Sequence, residues 1–84
     1  FNYPFNPETN INYTVPRGSV FRMEIIDIQG NVISTLIDNK ISQGYGQIKW
    51  DGREKTGLIA SSGIYFYRLS SSTFIETKKL ILLR

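Results

Sequence analysis

Turn-forming residues interrupt this chain at short, regular intervals, and the runs between them are β-branched and aromatic. The interruptions are Pro16-Arg17-Gly18, Gln29-Gly30-Asn31, Asp38-Asn39, Gln43-Gly44, Asp51-Gly52, Thr56-Gly57, Ser61-Ser62-Gly63 and Ser70-Ser71-Ser72. Gly, Asn, Asp, Pro and Ser favour turns, each for its own backbone reason. Apolar residues inside the runs alternate. Ile11, Tyr13 and Val15 are spaced by Asn12 and Thr14, and Phe21, Met23 and Ile25 by Arg22 and Glu24. A period of two is the pattern of a half-buried strand. Runs at 32–37, 48–50, 58–60, 64–69 and 73–83 bring the count to about seven. Twelve Ile, three Val, six Thr and eleven aromatics against a single Ala, Ala60, suit a pleated sheet and disfavour helices. The expectation is an all-β fold, one antiparallel β-sandwich of about seven strands.

Eighty-four residues allow one small domain over 1–84, and a chain opening at Phe1 reads as part of a longer polypeptide. Residues 1–9 contain Pro4 and Pro7, each lacking a backbone donor, and are expected to form an extended strap. Phe1, Tyr3 and Phe5 would then cover one end of the core. The chain contains neither His nor Cys. That removes Ser-His-Asp and Cys-His nucleophilic sites, His- and thiolate-ligated metals, and disulfides. An enzyme is not expected, and neither is a cofactor. The net charge of +3 is mild, and the ten basic residues are scattered rather than gathered into a stripe with aromatics. No nucleic-acid partner is expected on that pattern. No apolar run exceeds four residues, too short for a membrane-spanning helix.

Asn2-Tyr3-Pro4, Phe5-Asn6-Pro7-Glu8-Thr9 and Ile11-Asn12-Tyr13-Thr14-Val15-Pro16 together resemble the opening of the type A C-terminal sorting domain of the type IX secretion system. Ile25-Ile26-Asp27-Ile28-Gln29-Gly30, Gly44-Tyr45, Trp50-Asp51-Gly52 and Gly57 are similar to that family's central segments. Ser62-Gly63-Ile64-Tyr65-Phe66-Tyr67-Arg68-Leu69 and Thr77-Lys78-Lys79-Leu80-Ile81-Leu82-Leu83-Arg84 resemble its later ones. The same pattern is shared with the immunoglobulin-like domain of flagellar hook-capping proteins. Three departures stand out: an Asn-Pro missing between Pro4 and Phe5, Ile26 where Tyr is common, and Asn31 where Arg is frequent.

The resemblance implies an immunoglobulin-like sandwich and a non-catalytic targeting role. Such a domain directs a cargo protein on its N-terminal side across the outer membrane, by way of the periplasm, to the cell surface or medium. Its partners would be the outer-membrane secretion machinery and a surface sortase-like peptidase. The residues matching the recognition motifs are Gly63, Ile64, Tyr65, Lys78, Lys79, Leu80 and Leu82.

Read without the resemblance, the same residues have structural roles open to them. Gly63 supplies a positive φ or a tight strand entry. Tyr65 and Tyr67 share one face of a strand, with Ile64 and Phe66 on the other. Trp50 is expected as a core anchor. Leu80–Leu83 are apolar on both faces, so either both are covered or one awaits a partner. Lys78 and Lys79 project to opposite faces, as docking charges or as edge gatekeepers. The loop Asp51–Gly57 fails as a calcium loop because Arg53 and Lys55 occupy alternate positions. Three classes of function remain. One is the sorting domain; the second is a structural or assembly module, hook-cap-like or a subunit of an extracellular filament, with homo-assembly through sheet edges. The third is a carbohydrate-binding sandwich exposing Trp50 or a tyrosine in a groove.

Overall fold

The computed structural model describes residues 9–84. The strap expected at 1–9 therefore lies, Thr9 apart, outside the described residues, as do Phe1, Tyr3 and Phe5. Six strands follow: β1 Thr9–Thr14, β2 Val20–Ile26, β3 Val32–Ile41, β4 Tyr45–Trp50, β5 Gly63–Ser71 and β6 Ile75–Leu82. There is no helix among the described residues. The strands form two antiparallel sheets, β1-β4 and β3-β2-β5-β6, stacked as a sandwich. The all-β sandwich expected from the sequence is what the chain adopts.

Alternation is what builds the core. Ile11, Val15 and Trp50 come from the two-stranded layer and its continuation. Phe21, Met23, Ile25, Ile37, Tyr65, Leu69, Leu80 and Leu82 come from the four-stranded one. Their polar neighbours turn outward, as period-two patterning requires. Trp50 is only 1% exposed. Its indole N–H donates to the carbonyl of Arg53 at 2.9 Å, and its ring meets that of Tyr65 edge-on at 5.2 Å. The Tyr65 hydroxyl in turn donates to the Ser61 carbonyl at 2.6 Å, so both buried polar tips are satisfied.

The strand count is six rather than about seven. Residues 58–60 form no strand because segment 52–60 folds back on itself. Glu54 N–H donates to Leu58 O and Ala60 N–H to Gly52 O, leaving one bridge, Arg53–Ile59. That arm also docks sideways, with Lys55 N–H donating to Ile33 O at 2.7 Å. A second difference is at Asp38-Asn39. β3 runs straight through this pair, and Asn39 takes up φ 54°, a left-handed conformation that Asn tolerates better than most side chains. The irregularity is absorbed as shifts in the β2–β3 register instead of a chain reversal.

Two positions join the layers tightly. Ser42 is buried: its hydroxyl donates to Val15 O at 2.8 Å and accepts from Gly44 N–H at 2.9 Å. Its backbone bonds to Ser19 and Gly18 as well, so the ends of β1, β2 and β3 converge on one residue. Gly46 lies opposite Tyr13 in the β1–β4 ladder. A side chain there would run into the Tyr13 ring, which packs on Phe21 at 5.3 Å.

Candidate interaction surface

The β5–β6 hairpin carries all seven motif residues, and its register decides which of them a partner could touch. The two strands pair without a shift from Gly63 opposite Leu82 to Ser70 opposite Ile75. A Ser/Thr turn closes them: Ser71 N–H donates to Phe74 O, and Thr73 N–H to the Ser71 hydroxyl. In this register Tyr65 faces Leu80 across the ladder, and all three of Tyr65, Leu80 and Leu82 are core residues. They hold the fold, Leu82 being only 1% exposed, and Tyr65 also lines the groove beside Ile64. Gly63 has φ 155°, the positive value expected of it.

The accessible remainder is divided between two faces. On the outer face of the four-stranded sheet, Ile64 lies opposite Ile81 and Phe66 opposite Lys79. Ile64 is 46% and Ile81 54% exposed, an apolar cross-strand pair open to water. A groove of about 530 Å³, lined in part by Ile28, Ile33, Ser61 and Ser62, adjoins Ile64. On the opposite face Lys78 and Glu76 stand 3.9 Å apart beside a second groove of about 440 Å³. Asn12, Tyr13 and Tyr45 from the β1–β4 layer form its other wall. The open question at Leu80–Leu83 is thus resolved as one covered face, Leu80 and Leu82, and one uncovered, Ile81 and Leu83.

Arg84 anchors the end of the hairpin. Its N–H donates to the Ser62 hydroxyl at 3.0 Å, and its guanidinium donates to the carbonyls of Ala60 and Gly52. β6 is thereby fastened to the connection between the two sheets. Sequence reasoning placed Leu80 and Leu82 among the motif residues, named Ile81 only within the apolar run Leu80–Leu83, and passed over Glu76. Hairpin register was the signal that finds them: a tight turn at Ser70–Ser72 with Tyr65 inside forces Ile81 opposite Ile64 and outward.

Trp50 is closed to any sugar, whereas Tyr45 is exposed at the mouth of the smaller groove. Among the described residues no three His, Cys, Asp or Glu side chains gather to hold a metal. Asp51 accepts from Arg53 N–H at 3.0 Å and Arg53 donates to Gly57 O at 3.0 Å, so this loop is organised by its own cation. Asn31, one of the departures from the family pattern, has a structural role. Its amides donate to both carboxylate oxygens of Asp27 at 2.8 and 3.1 Å. With Gln29 N–H donating as well, these bonds hold the β2–β3 turn and keep the Asp27 carboxyl below its ordinary pKa, the Asn31 backbone amide being the largest cause.

Compared with known proteins, residues 6–73 match the family model of the FlgD Ig-like domain. No curated protein and no solved structure matches the chain. The matched residues take in β1 to β5 and stop in the turn before β6. A match over most of the chain, on a two-layer antiparallel sandwich, places it in the FlgD Ig-like domain family.

Proposed function

We propose that the chain is a non-catalytic assembly module, hook-cap-like or part of an extracellular filament, that acts through the surfaces and edges of its sheets. The observation that carries this reading is the family match over residues 6–73. The exposed Ile64–Ile81 pair supports it, because a sandwich whose interior is already filled shows apolar side chains on its outer face. Contact there buries apolar area at no cost to the core.

A second reading, export, is favoured by one observation. The segment Thr77–Arg84 that resembles the terminal sorting motif lies on and just beyond β6, past the residues matched to the family. In that reading the domain is recognised by outer-membrane secretion machinery and carries its cargo through the periplasm to the surface or medium, where a sortase-like peptidase meets it.

One assay separates the two. A reporter with a periplasmic signal and this chain at its C-terminus is expressed in a host with a type IX system. Removing residues 78–84 is uninformative, since it takes Leu80 and Leu82 out of the core. The variants are therefore the surface substitutions Ile64→Ser, Lys78→Ala, Lys79→Ala and Ile81→Ser. A folded reporter that stays in the periplasm, while an established sorting domain exports its own, supports assembly. Surface appearance that is lost in these variants overturns assembly in favour of sorting.

A further inference from the structure

The two edges of the four-stranded sheet are treated differently by the fold. β3 is spoiled for pairing: its register with β2 shifts at three places, Asn39 is left-handed, and Lys55 N–H already occupies the Ile33 carbonyl. Bulges and covering loops are the usual ways of closing a sheet edge. Among the described residues β6 has neither device. Its eight residues pair with β5 in unbroken register, and no described strand lies beyond it. The protection the described residues give it is charge, in the sequence Glu76-Thr77-Lys78-Lys79.

That sequence is complementary to itself in one register. Two copies of a strand pairing antiparallel do so about a two-fold axis, and the sheets continue into one another only when inward residues meet inward residues. The axis must then pass through a residue. Placing it at Glu76, Lys78 or Lys79 sets a like charge directly against itself, which disfavours pairing. Placing it at Thr77 sets Glu76 against the partner's Lys78 and Lys78 against the partner's Glu76. Glu76 and Lys78 already lie 3.9 Å apart along the strand, with their side chains 49% and 60% exposed. The four charges then alternate in sign around a square. Thr77 meets the partner's Thr77 on the outer face.

We infer that β6 pairs antiparallel with β6 of a second copy of this chain, about a two-fold axis at Thr77, joining two four-stranded sheets into one. The inference rests on the reading of the chain as an assembly module and names its partner. Edge pairing alone buries less than the roughly 1,600 Å² of a standard interface, so association between isolated copies is weak and gains strength in an array.

The chain lacks Cys, so an introduced thiol is the sole reporter. Opposed residues of an antiparallel pair are about 4.5–5.5 Å apart at Cα, within reach of a disulfide. Thr77→Cys is expected to form a disulfide-linked dimer at least tenfold faster under mild oxidation than Thr35→Cys, an exposed position on the closed β3 edge. Adding Lys78→Glu slows the Thr77→Cys crosslink tenfold or more, and the exchange Glu76→Lys with Lys78→Glu restores it. Circular dichroism establishes that each variant is folded. Equal rates for Thr77→Cys and Thr35→Cys, or an exchange variant no faster than Lys78→Glu alone, overturn the inference. Either failure leaves the export assay unaffected, because that assay reads where a reporter goes and not how many copies meet.

Discussion

β3 and β6 bound the same sheet, yet one strand is held by its irregularity and the other by its regularity. β3 is ten residues long and buries fully only Ile37, and its outer end presents Asp38, Asn39 and Lys40 to water. It stays in place through the Asp27–Asn31 turn, the Lys55–Ile33 bond and the Ser42 junction. β6 is shorter, buries Leu80 and Leu82, and is tied down at its end by Arg84. Edge protection and edge stability are therefore separate matters. A strand can be closed to partners while contributing little to the core, or contribute much while remaining open.

The largest test of that contrast is on β6 itself. Leu82→Ala should cost about 2–5 kcal/mol in chemical denaturation, as removal of a fully buried Leu does. Ile81→Ser, one residue away on the open face, should stay within about 0.5 kcal/mol. If the two cost the same, β6 is not a half-buried edge. On the β3 side the corresponding device is a hydrogen bond. Ser42→Ala leaves the Val15 carbonyl without its buried hydroxyl donor and should lower stability by about 1–3 kcal/mol. Hydrogen exchange should then quicken first where β1, β2 and β3 meet.

Between the edges lies a smaller effect. Arg68 donates to Glu24 at 2.8 Å, across the central pair β2–β5, with both side chains partly screened from water. Glu24→Gln should cost about 0.5–1 kcal/mol, and the loss should diminish in high salt. A loss independent of salt would point to packing by the side chains and not to their charge.

The smallest effect is a pH difference between the two hairpins. Asp27 has its pKa lowered on folding, chiefly by the Asn31 amide, so the unfolded chain binds the proton more readily. Its contribution is present above the unfolded value and is lost as the pH falls from about 4 through the folded value. The β5–β6 turn uses the Ser71 and Thr73 hydroxyls and has no carboxylate to titrate. As the pH falls below about 4, amides of the β2–β3 turn should lose protection before those of the β5–β6 turn. Asp27→Asn should abolish that difference, and its persistence in the variant would assign the effect to another carboxylate.

Much of this was readable from residue order. Period-two alternation identified the inward residues of β1 and β2 and set Tyr65 and Tyr67 on one face of β5 without deciding which face was inside, and the Gly, Asn and Ser clusters marked most of the reversals. Asp38-Asn39 misled because Asn serves a bulge as well as it serves a turn. Residues 58–60 misled because an apolar run needs a neighbour to become a strand, and theirs is only their own loop. The motif residues on β5 and β6 were selected as a set, but Tyr65, Leu80 and Leu82 belong to the interior and Ile64, Lys78 and Lys79 to the surface.

What the sequence determined alone is local: β-branched alternation, turn chemistry and the lack of His and Cys make an all-β chain without the commonest nucleophilic and metal chemistry. Those properties are decided over a few neighbouring residues, where sterics and hydrogen bonding act at short range. Tertiary structure decided which edge was bulged and covered, which leucines went inside, and that Glu76 and Lys78 lie on a strand with no described strand beyond it. These depend on pairing between residues far apart in the chain. A one-residue change of register moves every side chain of a strand to the other face, and no local preference can settle that.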